Sequence, residues 1–192
     1  MATILRHAAT GQTLRAGKGW KDENGVQHPP NWNIWSVEEK TAAGVTEVVQ
    51  ESPPDSRLYT WSHNEDGSVN AKPKSLNDVN TVDKDGNPVL DGDGKQNVTR
   101  GVKSSLKEAV NSQQGSLLDQ TDWYIIRKAD KGTAIPSNVQ TWRDAIRAKG
   151  DAMKSAIDGA ANTAAIEALF VVYDADGNKS GILYDWPELG ED

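Results

Sequence analysis

The sequence contains no cysteine, a single phenylalanine and only three histidines among its 192 residues. Without thiols, a disulfide framework, a thiolate nucleophile and a cysteine-based zinc site are all excluded. The three histidines, His7, His28 and His63, are not spaced as a metal-binding pair. We therefore expect each imidazole to be solvated or hydrogen-bonded, and we expect neither a metal ion nor another cofactor.

Long hydrophobic runs are lacking as well. Apolar residues make up 36% of the chain, and the longest apolar run, at residues 168–173, is far too short to cross a bilayer. Residues 1–20 lack the apolar stretch of a signal peptide, so none is expected. The formal net charge of −7 disfavours contact with phosphates, so we expect neither a membrane nor a nucleic acid as partner.

The motifs of common catalytic sites do not occur. Neither a glycine-rich phosphate loop nor a serine-nucleophile motif is present. Glycan cleavage would need two carboxylates in one cleft, and Asp122 or Glu167 is only an arbitrary choice for that role. We therefore expect that the protein is not an enzyme.

Five acidic, glycine-containing turns recur along the chain. Asp-Gly and Asn-Gly pairs supply the positive φ angles of tight hairpin turns, so each segment predicts a hairpin. The segments are DENGV (22–26), NEDGS (64–68), DKDGN (83–87), DGDGK (91–95) and DADGN (174–178). Their spacing is irregular, which indicates small separate sheets rather than a repeat architecture.

The last turn resembles part of a calcium-binding loop. Asp174, Asp176 and Asn178 place oxygen atoms at its first three ligand positions, but Lys179 stands where that loop requires glycine. A hairpin turn without a metal ion is therefore the expectation.

Helical periodicity governs much of the remaining chain. Apolar spacing predicts helices over 98–119 and 137–158, the second starting after Pro136, and a shorter helix in NTAAIEALF. The two long helices are expected to pack as an antiparallel pair. The intervening segment DWYIIRK has apolar residues on both faces, which predicts a strand that is buried on both sides.

These patterns predict an α+β fold. Small antiparallel β-hairpin sheets fill the N-terminal third, an antiparallel helix pair fills the C-terminal half, and a short β-hairpin closes the chain. The predicted regions are a β-rich docking region at 1–73, an exposed acidic glycine-rich loop or two-stranded finger at 74–97, a helical region at 98–170, and a hairpin and tail at 171–192.

Tryptophan is abundant where other aromatics are scarce, with seven tryptophans against one phenylalanine. Its large apolar ring and its N–H group suit half-buried seams and protein interfaces. Trp123 and Trp142 are expected in the core. The expected partner-binding residues are those of the first third: Trp20, Trp32, Trp35 and Trp61.

The segment LLDQTDWYIIRKADKGTAIPSNVQTWRDAIR resembles the C-terminal signature of the tail-fibre assembly proteins of tailed bacteriophages. In that signature a (S/T)DW follows a helix, and a loop with proline leads to a helix with an aromatic–Arg–x–x–(I/L)–R pattern. The matching positions are Thr121, Asp122, Trp123, Ile135, Pro136, Trp142, Arg143, Ile146 and Arg147.

Two shorter segments are also similar to phage proteins, PPNWNIWSVEEKTAAGVTEV (29–48) and the terminal YDWPEL (184–189). The chain departs from the family in having Trp142 where many relatives have tyrosine, a longer helix after Arg147, and the 74–97 loop. The family residues Asp122, Trp123, Pro136, Trp142, Arg143 and Arg147 are expected to have structural roles.

The resemblance implies a role in the phage tail and brings no catalytic residue with it. Relatives act as transient fibre-folding chaperones or stay attached to the fibre. We expect a virion-resident, non-enzymatic tail protein that binds the tail fibre or its attachment site, as a homo-oligomer in a symmetric assembly. A cytoplasmic fibre chaperone absent from the virion and a head decoration protein are the alternatives.

Overall fold

The computed structural model describes residues 2–190 and divides into two compact units, the first ending at Pro73 and the second beginning at Lys74. Helices and small antiparallel sheets are mixed, so the predicted α+β class is confirmed.

The first unit is mainly strands. Its elements are β1 (Ala2–His7), β2 (Thr13–Leu14), β3 (Trp20–Lys21), β4 (Gln27–His28), a 3-10 helix (Trp32–Ile34), α1 (Val37–Ala42), β5 (Val45–Gln50), β6 (Tyr59–His63) and β7 (Val69–Pro73). Strand β1 lies between β2 and β5 in a three-stranded antiparallel sheet, while β3–β4 and β6–β7 form separate hairpins.

The core of the first unit contains four buried side chains from different elements, namely Leu14, Trp20, Trp32 and Val45. The indole of Trp32 is fully buried, and its Nε1 donates a hydrogen bond to the carbonyl of Lys18 at 2.8 Å. Two tryptophans thus supply much of the apolar volume in a unit that has few aliphatic residues to offer.

Helix α1 starts with a capping box. The hydroxyl of Ser36 accepts from the amide of Glu39, and the carboxylate of Glu39 accepts from the amide of Ser36. Both residues satisfy amides that a helix start leaves unpaired, which explains why six residues suffice for a helix here.

The second unit is mainly helical. Its elements are β8 (Val79–Asn80), β9 (Val98–Thr99), α2 (Val102–Asp119), α3 (Asp122–Lys131), α4 (Ser137–Gly159), α5 (Thr163–Glu167), β10 (Val172–Tyr173) and β11 (Lys179–Ser180). Strands β8 and β9 pair in one two-stranded ribbon, and β10 and β11 pair in another.

Helices α2 and α4 pack against each other in antiparallel orientation. Near the start of α2, Lys103 and Lys107 bond to Asp158 at the end of α4. Near the end of α2, Gln114 Nε2 donates to the carbonyl of Ile146 in the first half of α4. The buried faces follow helical spacing: Val102, Leu106 and Val110 on α2, and Val139, Trp142, Ile146, Met153 and Ile157 on α4.

Gly150 lies in the middle of α4 without interrupting it. A Cβ atom at this position would come within 2.5 Å of the side-chain amide of Gln114. The glycine therefore gives the amide of Gln114 the space from which it reaches the carbonyls of Ile146 and Arg147.

The DWYIIRK segment is helical, which corrects the prediction of a buried strand. It lies in α3, where Asp122 occupies the first turn, and Lys128 and Lys131 occupy the last. Gly132 ends the helix in the left-handed conformation, with φ of 70°. The acidic first turn and the basic last turn complement the helix dipole, and Gly132 ends the helix. These local signals favour a helix more strongly than the apolar residues on both faces favour a strand.

Candidate protein-binding surface

The turn between α2 and α3 is held by one buried arginine of α4. The Arg143 side chain is buried, and its Nη1 donates to the carbonyl of Leu118 at 2.8 Å and to the hydroxyl of Thr121 at 2.7 Å. Its Nη2 pairs with the carboxylate of Asp122 at 2.8 Å. One guanidinium thus satisfies the end of α2, the turn and the start of α3.

The fixed turn positions a helix that is largely uncovered. None of the residues of α3 is buried, although its sequence is amphipathic. Trp123 is 50% exposed, Ile125 39% and Ile126 67%. These three side chains are called the α3 surface below. A rigidly attached apolar surface of this kind is typical of protein interfaces.

Stacking orders the aromatic part of the α3 surface. The rings of Trp123 and Tyr124 lie 3.7 Å apart between centroids. The guanidinium of Arg127 lies 4.8 Å from the Trp123 centroid and 5.1 Å from that of Tyr124. Held in this way, Trp123 would lose little conformational freedom if a partner covered it, and Trp and Arg are among the residue types most enriched at binding hot spots.

Trp123 was expected in the core, and its exposure corrects that prediction. The same tryptophan would have been buried had the segment been a strand between the two long helices. Helix α3 packs against only a small part of α2, and the indole of Trp123 stays half uncovered.

Trp142, by contrast, is buried as predicted. Its Nε1 donates to the carbonyl of Pro187 at 2.9 Å, while the Nε1 of Trp186 donates to the side chain of Gln113 on α2 at 2.8 Å. The terminal YDWPEL segment is therefore tied to both long helices and covers part of their packed pair.

Three further residues that were expected to have structural roles lie at the start of α4, on α4 and on α3. Pro136 is the residue that precedes its first turn. Arg147 is exposed and pairs with Asp144 at 3.0 Å, three residues earlier in the same helix. Asp122 begins α3, and its carboxylate binds Arg143.

The four tryptophans predicted to bind a partner differ in exposure. Trp20 and Trp32 are buried in the core of the first unit, and this corrects their assignment to a docking surface. Trp35 is partly buried against that core. Trp61 on β6 is 40% exposed and is the one of the four that offers much of its ring to a partner.

Two histidines enclose Trp20, an arrangement that the sequence did not reveal. The centroid of the Trp20 ring lies 4.7 Å from that of His7 and 4.1 Å from that of His28, which stacks on it. His7 Nε2 pairs with Glu23 at 3.1 Å and His28 Nε2 pairs with Asp22 at 3.2 Å. Adjacent carboxylates of the β3–β4 turn thus bind the imidazoles on both sides of the indole.

The Asp-rich turns are built as hairpins. In the last turn, Asp174 Oδ1 accepts from the amides of Asp176 and Asn178, and Oδ2 accepts from the Asn178 side chain. The side-chain and then the backbone hydrogen bond from Asn178 lower the pKa of Asp174 from its ordinary value. Its oxygens therefore serve the turn, and within residues 2–190 no group of three acidic or imidazole side chains is arranged to hold a metal ion.

Comparison with known proteins gives no match: neither a family profile, nor a curated protein, nor a solved structure resembles the chain significantly. In the part of the chain that the structure describes, no helix has the length and apolar character that crossing a membrane requires.

Proposed function

We propose that the chain is a non-enzymatic bacteriophage tail protein that binds the tail fibre, or its attachment site, through the α3 surface. The observation that carries the proposal is the half-exposed Trp123 beside Ile126 on a helix without a buried residue. The assignment to a phage tail rests on the sequence resemblance of the segment that contains this helix.

The tie between α3 and α4 supports a binding role for this helix. Arg143 fixes the start of α3 through three hydrogen-bonded groups, so the exposed side chains are presented by a fixed support. Preorganised anchors lose little entropy when a partner covers them, and this improves affinity. Asp122 and Arg143 of the motif thus act indirectly, because they position the helix, whereas Trp123 of the same motif belongs to the surface that makes the contact.

Site-specific photo-crosslinking in phage-producing cells tests the proposal. A photo-reactive residue replaces Ile126 in the full chain, and the same residue replaces Val172 as control, since Val172 is 57% exposed on β10. The proposal predicts capture of the tail-fibre or fibre-attachment protein from position 126 and not from position 172. Equal capture from both positions, or capture from neither, would show that the α3 surface is not the fibre-binding site.

Mass spectrometry of purified particles distinguishes a protein that stays in the virion from a chaperone that leaves before assembly is complete. A resident tail protein is present at a fixed ratio to the fibre protein, whereas a chaperone is depleted from particles although it crosslinks in cells. Imaging of separated heads and tails distinguishes either role from head decoration. We expect the chain in the tail fraction at a fixed ratio to the fibre.

A further inference from the structure

Residues 79–99 form a three-way junction of β-ribbons. The strand pair β8–β9 is the first ribbon, and single bridges at Val82–Pro88 and Leu90–Gln96 close two hairpins. We call this region the ribbon junction. The bridged pairs recur every eight residues along the chain, so each of the three ribbons has a pair at the same relative position.

Backbone hydrogen bonds close the centre of the ribbon junction in a ring. The amide of Thr81 donates to the carbonyl of Asn97, that of Asn97 to Val89, and that of Val89 back to Thr81, at 2.8, 2.8 and 3.0 Å. The side-chain amide of Gln96 donates to the carbonyl of Thr81 at 2.7 Å and, over longer distances, to those of Val89 and Asn97. One side chain therefore links the three equivalent positions.

The ribbon junction is attached firmly to α2. The amides of Val102 and Lys103 donate to the carbonyls of Ser75 and Leu76, and the amide of Gly101 donates to Asp78. Amides that a helix start leaves unpaired are thus satisfied by the segment that leads into the junction. The two hairpins extend from a fixed base.

The ribbon junction has no core of its own. None of residues 79–99 is buried, and four aliphatic side chains are about half exposed: Val79 at 49%, Val82 at 54%, Leu90 at 54% and Val98 at 47%. Two-stranded ribbons without a covered apolar face are marginal in water. An apolar surface on such an element therefore indicates a partner that covers it.

Charge indicates the chemistry of that partner. The two hairpin tips carry Asp83, Asp85, Asp91 and Asp93 against Lys84 and Lys95. Asp83 and Asp91 accept backbone hydrogen bonds within their turns, and Asp85 and Asp93 are exposed beside them. Val82 and Leu90 directly precede Asp83 and Asp91 in the chain, so a partner that covers these two side chains lies next to the acidic tips. Lysines or arginines on the partner would be complementary to that charge.

We propose that the ribbon junction is a second docking site, separate from the α3 surface, and that it binds a basic, apolar segment of the tail fibre or its attachment protein. The choice of partner rests on the proposed function, whereas the partner's chemistry follows from the exposed aliphatic side chains and the acidic tips. The junction thereby gives the chain two points of attachment to one assembly, which raises avidity.

Crosslinking from Leu90 tests the site and its partner. The photo-reactive residue replaces Leu90 in the full chain, and captured peptides are sequenced from phage-producing cells. The inference predicts a fibre or attachment-protein peptide with lysine or arginine next to apolar residues. Capture of the chain itself, of a host protein, or of an acidic segment overturns it, as does an absence of capture.

The two proposals can fail separately. Capture of the fibre from position 126 but not from position 90 overturns the second docking site and leaves the proposed function standing. Capture of a basic segment from a protein outside the tail at position 90, with none at position 126, overturns both the proposed function and the assignment of the partner.

Removing tip charges tests the electrostatic part of the inference. Asp85→Asn with Asp93→Asn removes one charge from each tip and leaves the turn-capping Asp83 and Asp91 in place, while the control Asp176→Asn removes one charge from the corresponding position of the turn between β10 and β11. With purified fibre as probe at low salt, the double variant is expected to lose about tenfold in affinity, and the control about twofold or less. Equal affinities for both variants would overturn the electrostatic part of the inference.

Discussion

The guanidinium of Arg143 binds the carboxylate of Asp122 at 2.8 Å and thereby joins the long helix α4 to the first turn of α3. The arginine is buried while the aspartate is half exposed, and the same guanidinium also binds Thr121 and the end of α2. Through this contact, Asp122 of the TDW segment and the distant Arg143 together fix the direction of α3.

Replacing Arg143 should destabilise the second unit strongly. Arg143→Leu removes the charged donor that the carbonyl of Leu118, the hydroxyl of Thr121 and the carboxylate of Asp122 share, so we expect the free energy of unfolding to fall by about 3 kcal/mol. Arg147→Leu, one turn further along α4, removes only an exposed ion pair and should cost no more than about 0.5 kcal/mol. Urea unfolding followed by far-ultraviolet circular dichroism measures both, and equal losses would refute the role given to Arg143.

The tryptophans of the first unit should separate into core and surface residues. Trp20→Ala removes a buried ring from between His7 and His28 and should cost about 3–5 kcal/mol of stability. Trp61→Ala removes a ring that is 40% exposed and should cost about 1 kcal/mol or less. Thermal unfolding of the two variants is the measurement, and the reverse order of stabilities would contradict the assignment.

The carboxylate of Asp185 should titrate at low pH. Its hydrogen bond from Lys179, followed by one from Lys149, lowers the pKa of Asp185 below the ordinary value of 3.8. The ionised form therefore favours the folded state: its contribution is complete above the unfolded-state pKa and is lost as the pH falls through the folded-state pKa.

Carboxyl chemical shifts measured by NMR against pH give the midpoint for Asp185 directly. We expect a midpoint below 3.8 in the intact chain and a shift towards that value in Lys149→Met. A midpoint at or above 3.8 in the intact chain would show that the two lysines do not hold the carboxylate in solution.

The sequence alone predicted the elements that depend on local periodicity. The helix predicted over 98–119 corresponds to α2 (Val102–Asp119), and the one over 137–158 corresponds to α4 (Ser137–Gly159), because the buried side chains of both recur at helical spacing. The hairpin predicted at 174–178 forms between β10 and β11 because Asp174 caps its turn and Gly177 takes a φ of 80°.

The α3 surface could not be predicted in the same way. Trp123 and Ile125 have the same hydrophobicity in a buried strand as on an exposed helix, and the segment's apolar residues favoured the strand. The better signals were Asp122 at the start and Gly132 at the end, since these mark the limits of a helix. Whether a tryptophan is buried depends on tertiary contacts. Trp142 could be assigned to the core because it lies on the periodic apolar face of α4, whereas Trp20, on a two-residue strand, has no such pattern around it.

The ribbon junction did leave a signal in the sequence. Asp83 and Asp91 begin two turns that are eight residues apart, and Thr81, Val89 and Asn97 continue that period. The five turns of the whole chain have no common spacing, which hid this short local period. The ring of hydrogen bonds closes only because Asn97 lies next to both Thr81 and Val89. Turn propensities alone do not specify that contact between distant residues.

Binding of purified tail fibre to variants of the α3 surface tests the central claim most directly. Trp123→Ala with Ile126→Ser should weaken binding by at least about a hundredfold without unfolding the second unit, because both side chains are exposed and anchor the contact. Val172→Ser, at a comparably exposed aliphatic residue of β10, should leave the affinity unchanged. If the double variant binds the fibre as tightly as the intact chain, the α3 surface is not the fibre-binding site.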